Sequence, residues 1–347
     1  MTNQNYYFIC ANNCFGNIFD SQNLEKIYII QNCFDSDFIH KIIQIAENNK
    51  YSLEYYLSPT DPNCINGIII KELQIAIIKN YNYISKYPVI VDNILDFSDI
   101  YDESQLMNYK KDIIELTTKK SEYFNLACKF LKSAAELSDN ILELSKKYID
   151  QNKLNHFINR MIIKYINEKH FYDMNCINEY KFINSISFAG YFESDIFEHE
   201  AKRIFYISNE NFLGWYFTKF IADKFPNICK VICPDALDPT KIRAIYLKNP
   251  KILFVIKNKT TNKNYSEKYH FINFINMERF VYPNFKKENK QKLKFIHKCH
   301  KSIINETVKY LKESEIIKNN IENIYHSSII PNKKNNITEQ FINQIFP

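Results

Sequence analysis

The strongest constraint on this chain is that its sequence repeats itself. "IYIIQNCFDSDFIHK" begins at Ile27 and "IFYISNENFLGWYFTK" begins at Ile204, 177 residues on, each an apolar run, a polar loop and a helix-like start. Asp61-Pro62 returns at the same offset as Asp238-Pro239. "IIIKELQIAIIKN", ending at Asn80, returns 178 residues on as "IYLKNPKILFVIKN", ending at Asn258. "CKFLKSAAELSDNI", from Cys128, returns 180 residues on as "VKYLKESEIIKNNI", from Val308. Offsets that drift so little along a chain mark an internal duplication. They predict two tandem domains, residues 1–172 and 178–347, with a hinge near residues 168–182, and 347 residues is enough chain for two cores.

Each half reads as α/β. Short apolar runs at Tyr6 to Cys10, from Ile27, and at Leu53 to Leu57 and Gln74 to Ile78 alternate with a helical pattern, as do Ile183 to Phe188, the run from Ile204, Cys229 to Cys233 and Lys251 to Ile256. That pattern predicts a mainly parallel sheet with flanking helices in each half. A long helical segment then extends each half, at about residues 104–166 and 286–324. The first has no Gly or Pro, and its apolar residues Phe124, Ala127, Leu131, Ala134, Leu137, Ile141 and Leu144 recur every three or four positions. It is expected to double back on itself.

With 46% hydrophobic and 15% aromatic residues the chain has the composition of a folded protein. The net charge of +6 is spread out, and the lysine run at Lys286, Lys287, Lys290, Lys292 and Lys294 reads as a solvated helix face, so nucleic acid is not expected as a partner. No apolar run approaches the roughly 18 residues that cross a bilayer, and no leader precedes the first strand, so a cytoplasmic protein without membrane contact is expected. Nine cysteines without framework spacing are expected to be free thiols.

A buried strand, a loop and a helix N-terminus make the geometry of a phosphate loop, because backbone N–H groups and the helix dipole attract anions there. The working form, G-x-x-x-x-G-K-[ST], needs glycines to wrap the phosphates, a Lys to reach them and a hydroxyl to hold magnesium. "QNCFDSDFIHK" has no glycine, and "SNENFLGWYFTK" has only Gly214, followed by Trp215 and Tyr216. The chain has four glycines in all, Gly16, Gly67, Gly190 and Gly214, so neither loop is a glycine cradle. Asp35 and Asp37 in the first loop and Glu210 in the second would repel a phosphate, by about 1 kcal/mol per pair in water and about 4 kcal/mol at a protein surface. The acid that should close the neighbouring strand is also missing, since "IAIIK" ends in Lys79 and "LFVIK" in Lys257.

Three stretches carry a family likeness: "FICANNCFGNIFD", "SPTDPNCINGIIIKELQIAII" and "YKKDIIELTTKKSEYFNLACKFLKSAAEL". On these the chain resembles the tandem P-loop ATPase-like proteins of endospore-forming Firmicutes, with both Walker A loops degenerate. The resemblance implies two P-loop NTPase-like domains over nearly the whole length. Were nucleotide retained, Asn32, Ser36 and Lys41 would hold it in the first half and Asn209, Gly214 and Lys219 in the second, with ATP and magnesium as cofactors. The erased loops instead favour an inactive pseudo-NTPase with no cofactor and no catalytic residue, a scaffold that docks a protein partner through its helical segments. A nucleotide-dependent ATPase or switch with an unconventional loop is the alternative, and nucleic-acid binding a second.

Other residues have plain readings. Asp61 and Asp238, each before proline, read as helix N-caps. "HKCH" at His297 to His300 lacks the further ligands that zinc needs, and Cys229 and Cys233 read as packing residues. Trp215 is expected to fill the space that a nucleotide would take.

Overall fold

The computed structural model describes residues 5–8, 24–35, 37–79, 93–166, 178–226, 228–257 and 271–346. Ser36, the turn at Gly16 and most of the expected hinge lie outside them. The architecture is α/β, with two six-stranded mixed sheets.

Along the first half run β1 (Asn5–Phe8), β2 (Lys26–Gln31), α1 (Asp37–Asn48), β3 (Leu53–Leu57), β4 (Ile65–Ile70), β5 (Ile75–Lys79) and β6 (Asn93–Asp96). The helices α2 (Glu103–Asn108), α3 (Lys110–Lys146) and α4 (Gln151–Tyr165) follow. Next come β7 (Glu179–Tyr180), a two-stranded ribbon of β8 (Asn184–Ser187) and β9 (Gly190–Glu193), α5 (Ile196–Glu200), β10 (Arg203–Ile207) and α6 (Leu213–Lys224). β11 (Lys230–Pro234), β12 (Ile242–Leu247), β13 (Ile252–Ile256), β14 (Ile272–Ile275), α7 (Asn284–Ser327) and α8 (Pro331–Ile345) complete the chain.

The first sheet has the order β1-β3-β4-β5-β2-β6 and the second β7-β11-β12-β13-β10-β14. Pairing directions match strand for strand: β1/β3, β5/β2 and β2/β6 are parallel and β3/β4/β5 antiparallel, as are their counterparts in the second sheet. The expected mainly parallel sheets are therefore mixed, each with an antiparallel meander at its centre. Central strands are buried on both faces in either arrangement, so Ile68, Ile70, Ile77 and Ile78 leave no polar alternation to betray direction. The initial strand expected at Ile183 to Phe188 is largely β8, which belongs to the ribbon, and β7 takes the sheet edge instead.

Asp61 and Asp238 do not cap helices. Each turns the chain between two antiparallel strands, Asp61 Oδ1 accepting from Asn63 N (2.9 Å) and Asp238 Oδ1 from Thr240 N (3.0 Å). Tight turns also join β4 to β5 and β12 to β13, with Gln74 and Lys251 in the left-handed region at φ 52° and 65°.

The chain gathers into two compact units: residues 1–129, 184–192 and 306–347 form unit 1, and residues 130–183 and 193–305 form unit 2. α3 and α7 contribute to both. In unit 1, α1 lays Phe38, Ile39, Ile42, Ile43 and Ala46 on the first sheet, spacings that put all five on one helical face. Phe341 and Ile345 of α8 join that core, the Phe341 ring lying 5.1 Å from Tyr28 and 5.5 Å from Phe38. In unit 2, α4 buries Leu154, Ile158 and Met161, and its Tyr165 ring lies 5.5 Å from Phe205 of β10. The last helix of each half thus completes the core around the other half's sheet. Isolated bridges fix both crossings, Tyr101 with Ile329 in unit 1 and Ile149 with Val281 in unit 2.

No described helix is long and apolar enough to cross a membrane. Cys33, Cys64, Cys233 and Cys299 are free thiols, whereas Cys128 and Cys229 are disulfide-bonded, which corrects the expectation of free thiols at those two positions.

Candidate functional site

Both strand–loop–helix corners stand at the C-terminal ends of parallel strands, β2 and β10, where open α/β sheets place their ligand crevices. They have been treated in opposite ways.

At the first corner the anion position is already taken. Asp35, 2% exposed, turns its carboxylate back onto the start of α1, Oδ1 accepting from the Asp37 N–H at 2.9 Å. Lys334 of α8 forms an ion pair with Asp35 and reaches Asp37 at 3.2 Å, while Lys79, ending β5, donates to the Asp35 carbonyl at 3.3 Å. Burial pushes the Asp35 carboxyl up, but Lys334 and the Asp37 amide outweigh it and hold the group below its ordinary range. The rest of the loop is tied down. Asn32, at φ 54°, donates to Asp96 (2.8 Å), and its carbonyl accepts from the Tyr101 hydroxyl (3.0 Å), which itself accepts from Phe34 N (3.1 Å). Phe34 stacks on Tyr325 with ring centroids 4.0 Å apart. Of the residues named for a retained nucleotide, Asn32 is therefore spent on Asp96, Lys41 is exposed on α1, and Ser36 lies outside the described residues. Asp37, expected beside Asp35 in the loop, opens α1 and is 65% exposed.

The second corner is open. A cleft of about 560 Å³ lies over it, lined among others by Ser208, Asn209, Asn211, Lys257, Lys290 and His297, with Glu210 also at its wall. Asn211 and Phe212 both take left-handed conformations, at φ 53° and 60°, and lead the chain into α6. The Asn209 side chain accepts from Gly214 N at 3.1 Å, and His297 reaches Asn211 Oδ1 at 3.1 Å. Lys257 stands at the floor, where its ammonium meets Glu198 at 2.5 Å and Glu193 at 3.7 Å. Behind it Arg243 binds Glu193 at 2.9 Å.

Gly214 is present for packing. A Cβ there would meet Asn209 Oδ1 at 2.7 Å and Ile256 at 3.1 Å. Gly214→Ala is accordingly expected to destabilise the protein by about 1–3 kcal/mol, as overpacking does, read as a lower denaturation midpoint. An unchanged midpoint would show that Asn209 can swing away without loss.

Lys219, named only for a retained nucleotide, is exposed on α6, where it pairs with Asp223 at 3.0 Å and lines a separate cleft beside β7 and β11. Trp215 does not fill the ligand space. It is 3% exposed, donates to Asp235 at 3.0 Å, and is not among the residues lining the loop cleft. Burial pushes the Asp235 carboxyl above its ordinary range, against the pull of Arg243. His300 beside the cleft is pushed down to about 4 by burial and by His297. No group of three or more His, Cys, Asp or Glu that could hold a metal occurs among the described residues.

The sequence missed Lys334, whose partner lies 299 positions away in Asp35, and it gave His297 and Lys290 no part in a site. Comparison with protein-family models, with curated proteins and with solved structures found no match.

Proposed function

We propose that this chain is a tandem, P-loop NTPase-like pseudoenzyme, a cytoplasmic scaffold or binding module that does not hydrolyse nucleotide. The observation that carries this reading is Asp35: an internal carboxylate with its own counter-ion, Lys334, occupies the helix terminus where a phosphate would bind. The matching strand order of the two sheets supports a duplicated origin for the two corners. Lys79 and Lys257, at the ends of β5 and β13, offer cations where magnesium chemistry needs a carboxylate. The helical segments supply the docking surface for a protein partner.

The open second corner favours one further reading, nucleotide binding without turnover at that loop, because a cleft of about 560 Å³ lies within the range of small-molecule sites. A melting screen separates the two. Ligand at a hundredfold excess over its dissociation constant stabilises by about 2.7 kcal/mol, a shift of several degrees. Under the scaffold reading, millimolar ATP, GTP or their diphosphates with magnesium leave the melting temperature unchanged and no phosphate is released. Magnesium-dependent turnover would sink it, and a shift without turnover would select the second reading.

A further inference from the structure

The N-terminal half of α7 has a feature that neither corner uses. Lys286, Lys290, Lys294 and Lys298 follow one another at steps of four, and Lys287 and Lys301 fall between them in projection. At about 100° per residue these six lysines occupy an arc of about 120°. The buried side of the same stretch holds Phe285, Leu293 and Ile296. None of the six has a carboxylate three or four positions away, and each has at least one of the others at that spacing, an arrangement that weakens a helix. Further along α7 the same residue type is neutralised, Lys309 by Glu306 and Lys318 by Glu315 and Glu322. On the stripe Lys286 pairs with Glu278, and Lys287, Lys290, Lys294, Lys298 and Lys301 form no ion pair among the described residues. The stripe also runs into the second corner, because Lys286, Lys290 and His297 line its cleft.

We propose that the stripe and the cleft form one surface that binds single-stranded nucleic acid, the lysines neutralising successive backbone phosphates and the cleft receiving one nucleotide. The stripe spans about 22 Å of helix, at about 1.5 Å per residue, enough to face several phosphates. Phosphates repeat regularly along a strand, as these lysines do along the helix, and the run of unneutralised cations matches a polyanion in charge. A large apolar side chain flanks the stripe: Phe295, 68% exposed, projects about 60° beyond its Lys298 edge, at the margin where a base could stack. With their oxygens engaged by Gly214 N and His297, Asn209 and Asn211 leave side-chain N–H groups to the cleft as donors for a base edge. This inference goes beyond the scaffold reading and does not depend on it.

The test is fluorescence anisotropy of a labelled 15-nucleotide oligothymidylate with the full chain, titrated across potassium chloride concentrations. Binding is expected at about 50 mM salt, with a slope of log K against log salt of about −3 for four to five neutralised phosphates. Lys290→Glu/Lys294→Glu/Lys298→Glu should weaken it at least tenfold, Phe295→Ala less, and Lys309→Glu/Lys312→Glu not at all. Trp215 emission reports that each variant is folded. Should the triple variant misfold, Lys290→Gln/Lys294→Gln serves in its place, with about a threefold loss expected. The proposal is overturned by no binding at about 50 mM salt, by equal affinity in a folded stripe variant, or by polyglutamate competing as well as the oligonucleotide at equal charge.

Discussion

Expressed separately, residues 1–172 and residues 178–347 are each expected to fail to fold, and to form the native protein when mixed or co-expressed. The reason is the exchange of terminal helices. Unit 1 needs Phe341 and Ile345 from the second half, and unit 2 needs Leu154, Ile158 and Met161 from the first. Full burial of a large apolar side chain contributes about 1.5–3 kcal/mol, so unit 1 would lose about 3–6 kcal/mol and unit 2 about 5–9 kcal/mol. Net stabilities of whole domains are about 5–15 kcal/mol. The loss also uncovers the first sheet around Tyr28 and Phe38, which favours aggregation over a weakly folded monomer. The measurement is circular dichroism and thermal melting of each half alone and of the two together. A cooperative melt of residues 1–172 alone, near that of the whole chain, would falsify the exchange.

The second large effect is expected at Lys334. Lys334→Met leaves the Asp35 carboxylate buried without its cation, a change that costs about 3–5 kcal/mol when a buried pair is broken from one side. The lower end applies, because Lys79 remains 3.3 Å from the Asp35 carbonyl. Asp35→Asn/Lys334→Met removes both charges and should recover most of the loss; no recovery would mean that Lys334 acts through packing alone. The sign of the pH dependence follows from the depressed Asp35 carboxyl. Its contribution is complete above the unfolded value of about 4 and is lost as pH falls through the lower folded value. Lys334 is raised, burial opposing and the two aspartates prevailing, so its side of the pair persists until the pH rises through its elevated value. Denaturation between about pH 2 and pH 6 should therefore show a slope in the native chain that flattens in the double variant.

Much of the architecture was legible because burial writes itself into residue choice. β3 occupies Leu53–Leu57 as expected, and β5, β11 and β13 lie within one residue of the expected bounds, each a short apolar run. β4 and β12 were missed because each follows its Asp-Pro turn directly and reaches the next strand through four residues, so two strands read as one continuous run. β6 and β14 are four residues long, too short for periodicity to register. Helical spacing identified the apolar face of α3 but contains nothing about which sheet a terminal helix covers, so the exchange of α4 and α8 was invisible. At the first corner the obstructing Asp35 could be read directly, whereas its counter-ion, almost three hundred positions away, could not. The lysine register on α7 is readable by helix arithmetic, but in a chain whose charge is spread along its length such a run reads as a solvated helix face.

The helix exchange also sets an order of events on the ribosome. Unit 2 has all its residues once residue 305 has been made, but unit 1 opens with residues 1–129 and lacks residues 306–347 until those too have been made. At about 5–20 residues per second, the wait between Lys129 and Pro347 lasts about 10–40 s. The first sheet to emerge is thus the last to be closed. Through that interval a nascent chain holds an apolar β-surface open to its surroundings.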